Sequence, residues 1–282
     1  MAYISLILAI VGARFFPGLS GSWGDAAFRA WYRLLGPQTK FSVSAEIRFY
    51  LVIAVPVIVL ALGLALLHSA GWRFAVYVIS FFVLLCCFGI SELRTRIAAY
   101  VDALSRDDIQ GAYHDAFFLG GDTSNAENWS QLHRQTLRAI AWGYFQCYFP
   151  VIFWFVLLGA PGALLYRLLC LHQQYTGETT ENERLRRLVV MLEWLPLHLL
   201  GLSLALVGNW QATIVQVIKN IRSLAMPPVE VLECYILAAL HGTDSRSADN
   251  PAVEISELEE LPELVDRALV SWIAVLGVVA VI

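Results

Sequence analysis

Apolar positions along this chain come in long unbroken blocks. Residues 49–67 and 74–90 contain no charged side chain. At about 1.5 Å per helical residue such runs reach roughly 25–29 Å, close to the hydrocarbon thickness of a bilayer. The apolar pieces fall at 1–16, 49–67, 74–90, 147–171 and 268–282, with a weaker one at 194–208 that carries Trp194, Pro196 and His198. Only six residues, 68–73, separate the second and third pieces, which forces a tight helical hairpin. No repeat and no alternating strand pattern appears. The expected fold class is all-α: a polytopic integral membrane protein with about four crossings, built as one membrane domain over 1–282.

The polar stretches also read as helices. In 97–118, Ile97, Val101, Leu104, Ile109, Ala112 and Ala116 recur at near-helical spacing, and in 229–240 Val231, Ile236, Leu237 and Leu240 do likewise. Residues 120–125 are a loop whose Thr123 or Ser124 could cap a following helix. The polar stretch 242–251 links to an acidic amphipathic helix, in which Glu254, Glu257, Glu260 and Glu263 interleave with Leu258, Leu261 and Leu264. These segments, 91–146 and 211–266, are expected on the cytoplasmic side.

Composition sharpens the membrane assignment. The 282 residues are 58% hydrophobic and 15% charged, against about 25% charged in an ordinary soluble domain. The formal net charge is −4, which offers no basic field for nucleic acid. Cys86, Cys87, Cys147, Cys170 and Cys234 show no CxxC spacing and read as small buried hydrophobes. The opening 1–13 has neither a basic flank nor a cleavage pattern and is not read as a signal peptide.

Lys and Arg set orientation. Arg14, Arg29, Arg33, Lys40 and Arg48 lie in 14–48, and Arg94 and Arg96 open the stretch 91–146, so both face the cytoplasm and both termini lie outside. The piece 147–171 contains Gly159-Ala160-Pro161-Gly162, residues that break helices. A straight crossing would put Arg184, Arg186 and Arg187 in a short external loop. A re-entrant hairpin turning at 159–162 avoids that, and a kinked spanning helix is the alternative.

Known catalytic motifs are missing: no phosphate loop, GxGxxG, HExxH or GxSxG occurs, and catalytic residues stay unassigned. The histidines are scattered, so no metal and no cofactor is expected. Arg167 lies at or near membrane depth, beside Tyr166 and thirteen residues after Trp154. It is either an anion-binding group facing a pocket or a snorkelling side chain paired with Glu193. Glu193-Trp194-Leu195-Pro196-Leu197-His198 forms a second cluster, whose acid either supports a helix N-terminus or serves a polar site. Arg106-Asp107-Asp108 reads as a solvated turn or helix surface.

The stretches FWFVLLGAPGALLYRL at 153–168, EWLPLHLLGLSLALVGNW at 193–210 and RALVSWIAVLGVVAV at 267–281 resemble the AmpE family of Gram-negative inner-membrane proteins over essentially the whole chain. More remotely, the same core resembles the CobD/CbiB enzymes of cobalamin synthesis. Those enzymes carry acids just ahead of the Pro150 position, where 142–149 here has none, and an Arg where His198 stands. The AmpE resemblance implies a multi-pass inner-membrane signalling modulator linked to β-lactamase induction and cell-wall recycling. A cell-wall-derived or lipid-linked anionic ligand, or a protein partner, is the expected occupant of a site formed by Trp154, Tyr166, Arg167, Glu193, Trp194 and His198. Pro150, Gly159, Pro161, Gly162 and Pro196 are the expected structural frame. The rival reading is a membrane enzyme derived from the CobD/CbiB-type fold, with Arg167, Glu193 and His198 in its site.

Overall fold

The computed structural model describes residues 2–15, 22–34, 45–106, 108–119, 129–176, 180–221, 226–241 and 251–281. The expected loop at 120–125, Asp107 and the polar stretch 242–250 lie outside them. Among the described residues every regular element is a helix, so the all-α assignment holds. In chain order these are α1 (Ala2–Phe15), α2 (Ser22–Leu34), α3 (Ala45–Ser69), α4 (Arg73–Cys87), α5 (Ile90–Ser105), α6 (Ile109–Leu119), α7 (Trp129–Leu158), α8 (Ala160–Thr176), α9 (Thr180–Val207), α10 (Trp210–Ile221), α11 (Pro228–His241) and α12 (Pro251–Val281). Three of them contain windows long and apolar enough to cross a membrane: Phe49–Ser69, Gln131–Leu158 and Leu185–Val207. The shorter α4 is also apolar. The protein is therefore a multi-pass helical membrane protein.

The chain divides into two compact units, Met1–Ser91 with Pro150–Glu193, and Glu92–Phe149 with Trp194–Ile282. In the first, α1 turns Leu6, Ala9, Ile10 and Ala13 inward against α4, while Leu8 and Val11 stay exposed. That is the helical spacing of one apolar face. The expected hairpin at 68–73 is present, and Gly71 (φ 80°) supplies the left-handed residue that closes it. α3 buries Val52 and Ile53 but exposes Ile58, Val59, Leu62 and Leu66, as a helix facing lipid should.

The second unit packs Tyr100, Leu132, Phe145, Phe149, Leu204, Tyr235 and Leu261 into its interior. Leu258, Leu261, Leu264 and Val265 of α12 are buried while Glu260 and Glu263 are exposed, so the acidic helix is amphipathic as its sequence implies. It continues through Pro262 into the last apolar piece as one helix.

Several boundaries differ from the sequence reading. The stretch 97–118 is two helices, α5 and α6, with Arg106 and Asp108 exposed at the turn between them. The Asp108 carboxylate accepts from the Gly111 amide at 3.0 Å and caps α6. The stretch 14–48 contains the amphipathic helix α2. The apolar windows of α7 and α9 begin at Gln131 and Leu185, well before 147 and 194. Near its start, α7 places Arg134 Nε 2.6 Å and Arg138 Nε 2.8 Å from the Glu233 carboxylate of α11.

The piece 147–171 is broken at Gly159, which has φ 73°. α7 ends with the Gly159 amide donating to the Phe155 carbonyl, and α8 starts with Gly162 and Ala163 donating back to the Gly159 carbonyl. Pro161 sits in the first turn of α8, where its missing N–H costs nothing. A Cβ on Gly162 would lie 2.6 Å from the Trp154 carbonyl oxygen and 2.5 Å from Leu158 Cβ. In a straight helix residues eight apart are separated by about 12 Å, so the chain doubles back sharply here.

Candidate functional site

The first unit holds a partly open chamber of about 420 Å³ between α2, α3, α4 and α8. On α2, Gly24, Ala27, Phe28 and Trp31 line it at helical spacing, the apolar face of a helix whose other side carries exposed Arg29 and Arg33. Val55, Pro56 and Val59 come from α3, Cys86 and Cys87 from the end of α4, and Leu164, Arg167, Leu168 and Leu171 from α8. Among the described residues, Arg167 is the only ionisable lining group besides the two thiols.

Two glycines make the wall possible. A Cβ on Gly89 would overlap the Arg167 guanidinium, so only glycine lets that side chain lie across the end of α4. A Cβ on Gly24 would lie 2.5 Å from the Cys86 carbonyl oxygen, so glycine allows α2 to approach α4 closely.

On α8 the chemistry divides between two faces. Leu164, Arg167, Leu168 and Leu171 face the chamber. Tyr166, fully buried, turns away and donates its hydroxyl hydrogen to Glu193 Oε1 at 2.8 Å. Glu193 is only 1% exposed, and this hydrogen bond fixes its side chain. Trp154 has a different task. Pro196 lacks the N–H that would bond the Leu192 carbonyl one turn back, and Trp154 Nε1 donates to that oxygen at 3.3 Å. Trp154 thus repairs a helix whose ladder the proline interrupts.

Trp194 and His198 belong to the second unit. His198 Nδ1 lies 2.7 Å from the Trp194 carbonyl oxygen, which can only accept, so Nδ1 carries a proton. The Tyr235 ring meets His198 edge-on at 6.2 Å and rests on Gly201, where a Cβ would approach within 2.7 Å. Tyr235 Oη and His198 Nε2 are both buried without a hydrogen-bond partner. Burial holds the Tyr235 hydroxyl well above the ordinary tyrosine range, and it raises the thiol of neighbouring Cys234 beside the Glu233 carboxylate.

The six expected site residues therefore fall in two units, with Trp154, Tyr166, Arg167 and Glu193 in one and Trp194 and His198 in the other. Arg167 alone of them lines the chamber. Missed by sequence reasoning were Gly24, Phe28, Trp31 and Gly89. The first three were legible as the apolar stripe of an amphipathic helix within 22–34, whereas Gly89 had no local signal. Among the described residues no three histidine, cysteine or carboxylate side chains gather as a metal would need.

Comparison with known proteins supports the resemblance seen in the motifs. The chain is 24% identical over 221 residues to the cobalamin biosynthesis protein CobD of Stutzerimonas stutzeri (strain A1501), covering 73% of this chain and 71% of that one. No solved structure matches it. The model of the regulatory signalling modulator protein AmpE matches residues 1–257. With its membrane-spanning helices, its broken α7–α8 corner and the motifs that flank them, the chain belongs to the AmpE family.

Proposed function

We propose that this protein is an inner-membrane modulator of β-lactamase induction that responds to an anionic ligand bound by Arg167. Membership of a family of regulatory signalling modulators supports the regulatory half of this reading. The observation that carries the ligand half is the Arg167 guanidinium set into the wall of an otherwise apolar chamber. A guanidinium binds a phosphate or carboxylate in a planar, bidentate geometry that a lysine ammonium cannot copy.

The likeness to a cobalamin biosynthesis protein motivates a second reading, a membrane enzyme acting on an anionic small molecule. It is weaker, because Tyr166 and Trp154 hold Glu193 and the Leu192 carbonyl in internal hydrogen bonds rather than facing the chamber.

The test is chromosomal replacement of Arg167 by Lys and by Ala, with folded membrane yield as control and inducible β-lactamase activity as readout. Both variants should accumulate, and both should lose induction control. Normal induction with both would remove Arg167 from the regulatory mechanism.

A further inference from the structure

The second unit contains another reversal of the chain, at the end of α9. The apolar window of α9 closes at Val207. A Cβ on the next residue, Gly208, would lie 2.8 Å from the Ala239 carbonyl oxygen, so glycine lets this end of α9 rest against α11. The Asn209 amide donates to that same oxygen at 3.1 Å. The Asn209 side-chain oxygen accepts from the Ala212 amide at 3.1 Å and caps α10.

α10 then returns alongside α9. A Cβ on Gly201 would lie 2.9 Å from Val217 Cγ2 and 2.7 Å from Tyr235 Cε2. Had the helix run straight on, residues 201 and 217 would stand roughly 24 Å apart. Their contact puts the middle of α10 level with Gly201, inside the stretch of α9 that is apolar enough to cross a membrane.

The polarity of α10 is the reverse of a helix that faces water. It turns Thr213, Val217 and Asn220 inward and buries them. Outward it presents Val215 (61% exposed), Ile218 (53%) and Ile221 (41%). A helix at an aqueous surface keeps its apolar side chains for the core and its polar ones for solvent. The exposed polar residues of α10, Gln211 and Lys219, are confined to its first and last turns. Leu202 and Leu206, on the length of α9 that α10 accompanies, are exposed as well. With 12 residues α10 is about 18 Å long, too short to cross a hydrocarbon core of about 30 Å.

We infer that α10 is a half-helix immersed in the bilayer beside α9, and that Val215, Ile218 and Ile221 dock on lipid acyl chains. This takes 210–221 out of the stretch 211–266 that the sequence assigns to the cytoplasmic side, and it does not depend on a ligand at Arg167.

The experiment uses the full, unaltered chain in nanodiscs whose phosphatidylcholine carries a photoreactive diazirine along one acyl chain. After illumination, lipid adducts are mapped by mass spectrometry. Val215, Ile218 and Ile221 should carry adducts as readily as Leu62 and Leu66 on the exposed face of α3. Asp102 and Arg106, exposed near the end of α5, should stay at the unilluminated background. A second measurement reads what covers the face in native membranes. The photoreactive residue p-benzoylphenylalanine is placed at position 218 and, as a control, at position 62. Both should cross-link to phospholipid.

Adducts on α10 no denser than those on Asp102 and Arg106 would overturn the proposal, because the helix would then lie in water. A cross-link from position 218 to a second copy of the chain, or to another protein, would also overturn it by making this face a protein interface.

Discussion

The reversal at Gly159 makes a graded prediction for three glycines. Gly159 sits at φ 73°, where an L side chain costs about 1–2 kcal/mol. Alanine there also restricts the unfolded chain, which returns about 0.4–1 kcal/mol. The net loss for Gly159→Ala is therefore about 1 kcal/mol or a little less. Gly162→Ala should cost more. Its Cβ would meet the Trp154 carbonyl at 2.6 Å, a backbone atom that cannot swing aside, and Leu158 Cβ at 2.5 Å. Overpacking of that kind costs about 1–3 kcal/mol. Gly63 is the internal control, because a Cβ there meets nothing within 4 Å and a mid-helix alanine gains about 0.5–1 kcal/mol. The expected order of stability is Gly63→Ala above wild type, then Gly159→Ala, then Gly162→Ala. The outer two should differ by about 1.5–4 kcal/mol. Thermal unfolding in mild detergent resolves this, since each kcal/mol moves the midpoint by roughly 2–4 °C in domains of 150–250 residues. Equal midpoints for Gly162→Ala and Gly63→Ala would mean that residue 162 does not pack on Trp154 and that α7 runs on into α8 without reversing.

Other outcomes follow from single contacts. Trp154→Phe should cost about 1–3 kcal/mol by orphaning the Leu192 carbonyl, and should cost clearly less in a Pro196→Ala background, whose new N–H bonds that oxygen; equal costs in both backgrounds would refute the repair role. Gly89→Ala should displace the Arg167 side chain and so reproduce the induction phenotype of Arg167→Ala with folded yield preserved; wild-type induction would contradict that dependence. Because burial and Glu233 raise the Cys234 thiol, its thiolate is scarcer than a free cysteine's at neutral pH, and its alkylation should be slower and should accelerate only at higher pH; faster labelling than a model thiol at pH 7 would contradict it. A periplasm-active reporter after Ile282 should be active and one inserted in 177–179 silent if the α7–α8 corner is re-entrant, whereas activity at 177–179 means that the segment crosses.

The sequence by itself determined the helical membrane class, the α3–α4 hairpin and the break at Gly159. Each rests on a local property: an uncharged run of span length, a six-residue connector, and a Gly-Ala-Pro-Gly sequence of residues that disfavour a regular helix. It also singled out Arg167, because a lone cation in an apolar stretch is conspicuous without any knowledge of its surroundings. That Arg134 and Arg138 share a carboxylate was not legible, because Glu233 lies nearly a hundred residues later and only the fold brings it against them. The division of Tyr166 and Arg167 between two sides of one helix depends on which neighbours occupy each side. Those neighbours are Glu193 for the tyrosine, and α2, α3 and α4 for the arginine. The chamber is the clearest case. Residues 24, 55, 86 and 167 come from four helices, and nothing in the local pattern of any one of them says that they share a wall. Long-range packing decides that, through close approaches that only Gly24 and Gly89 permit.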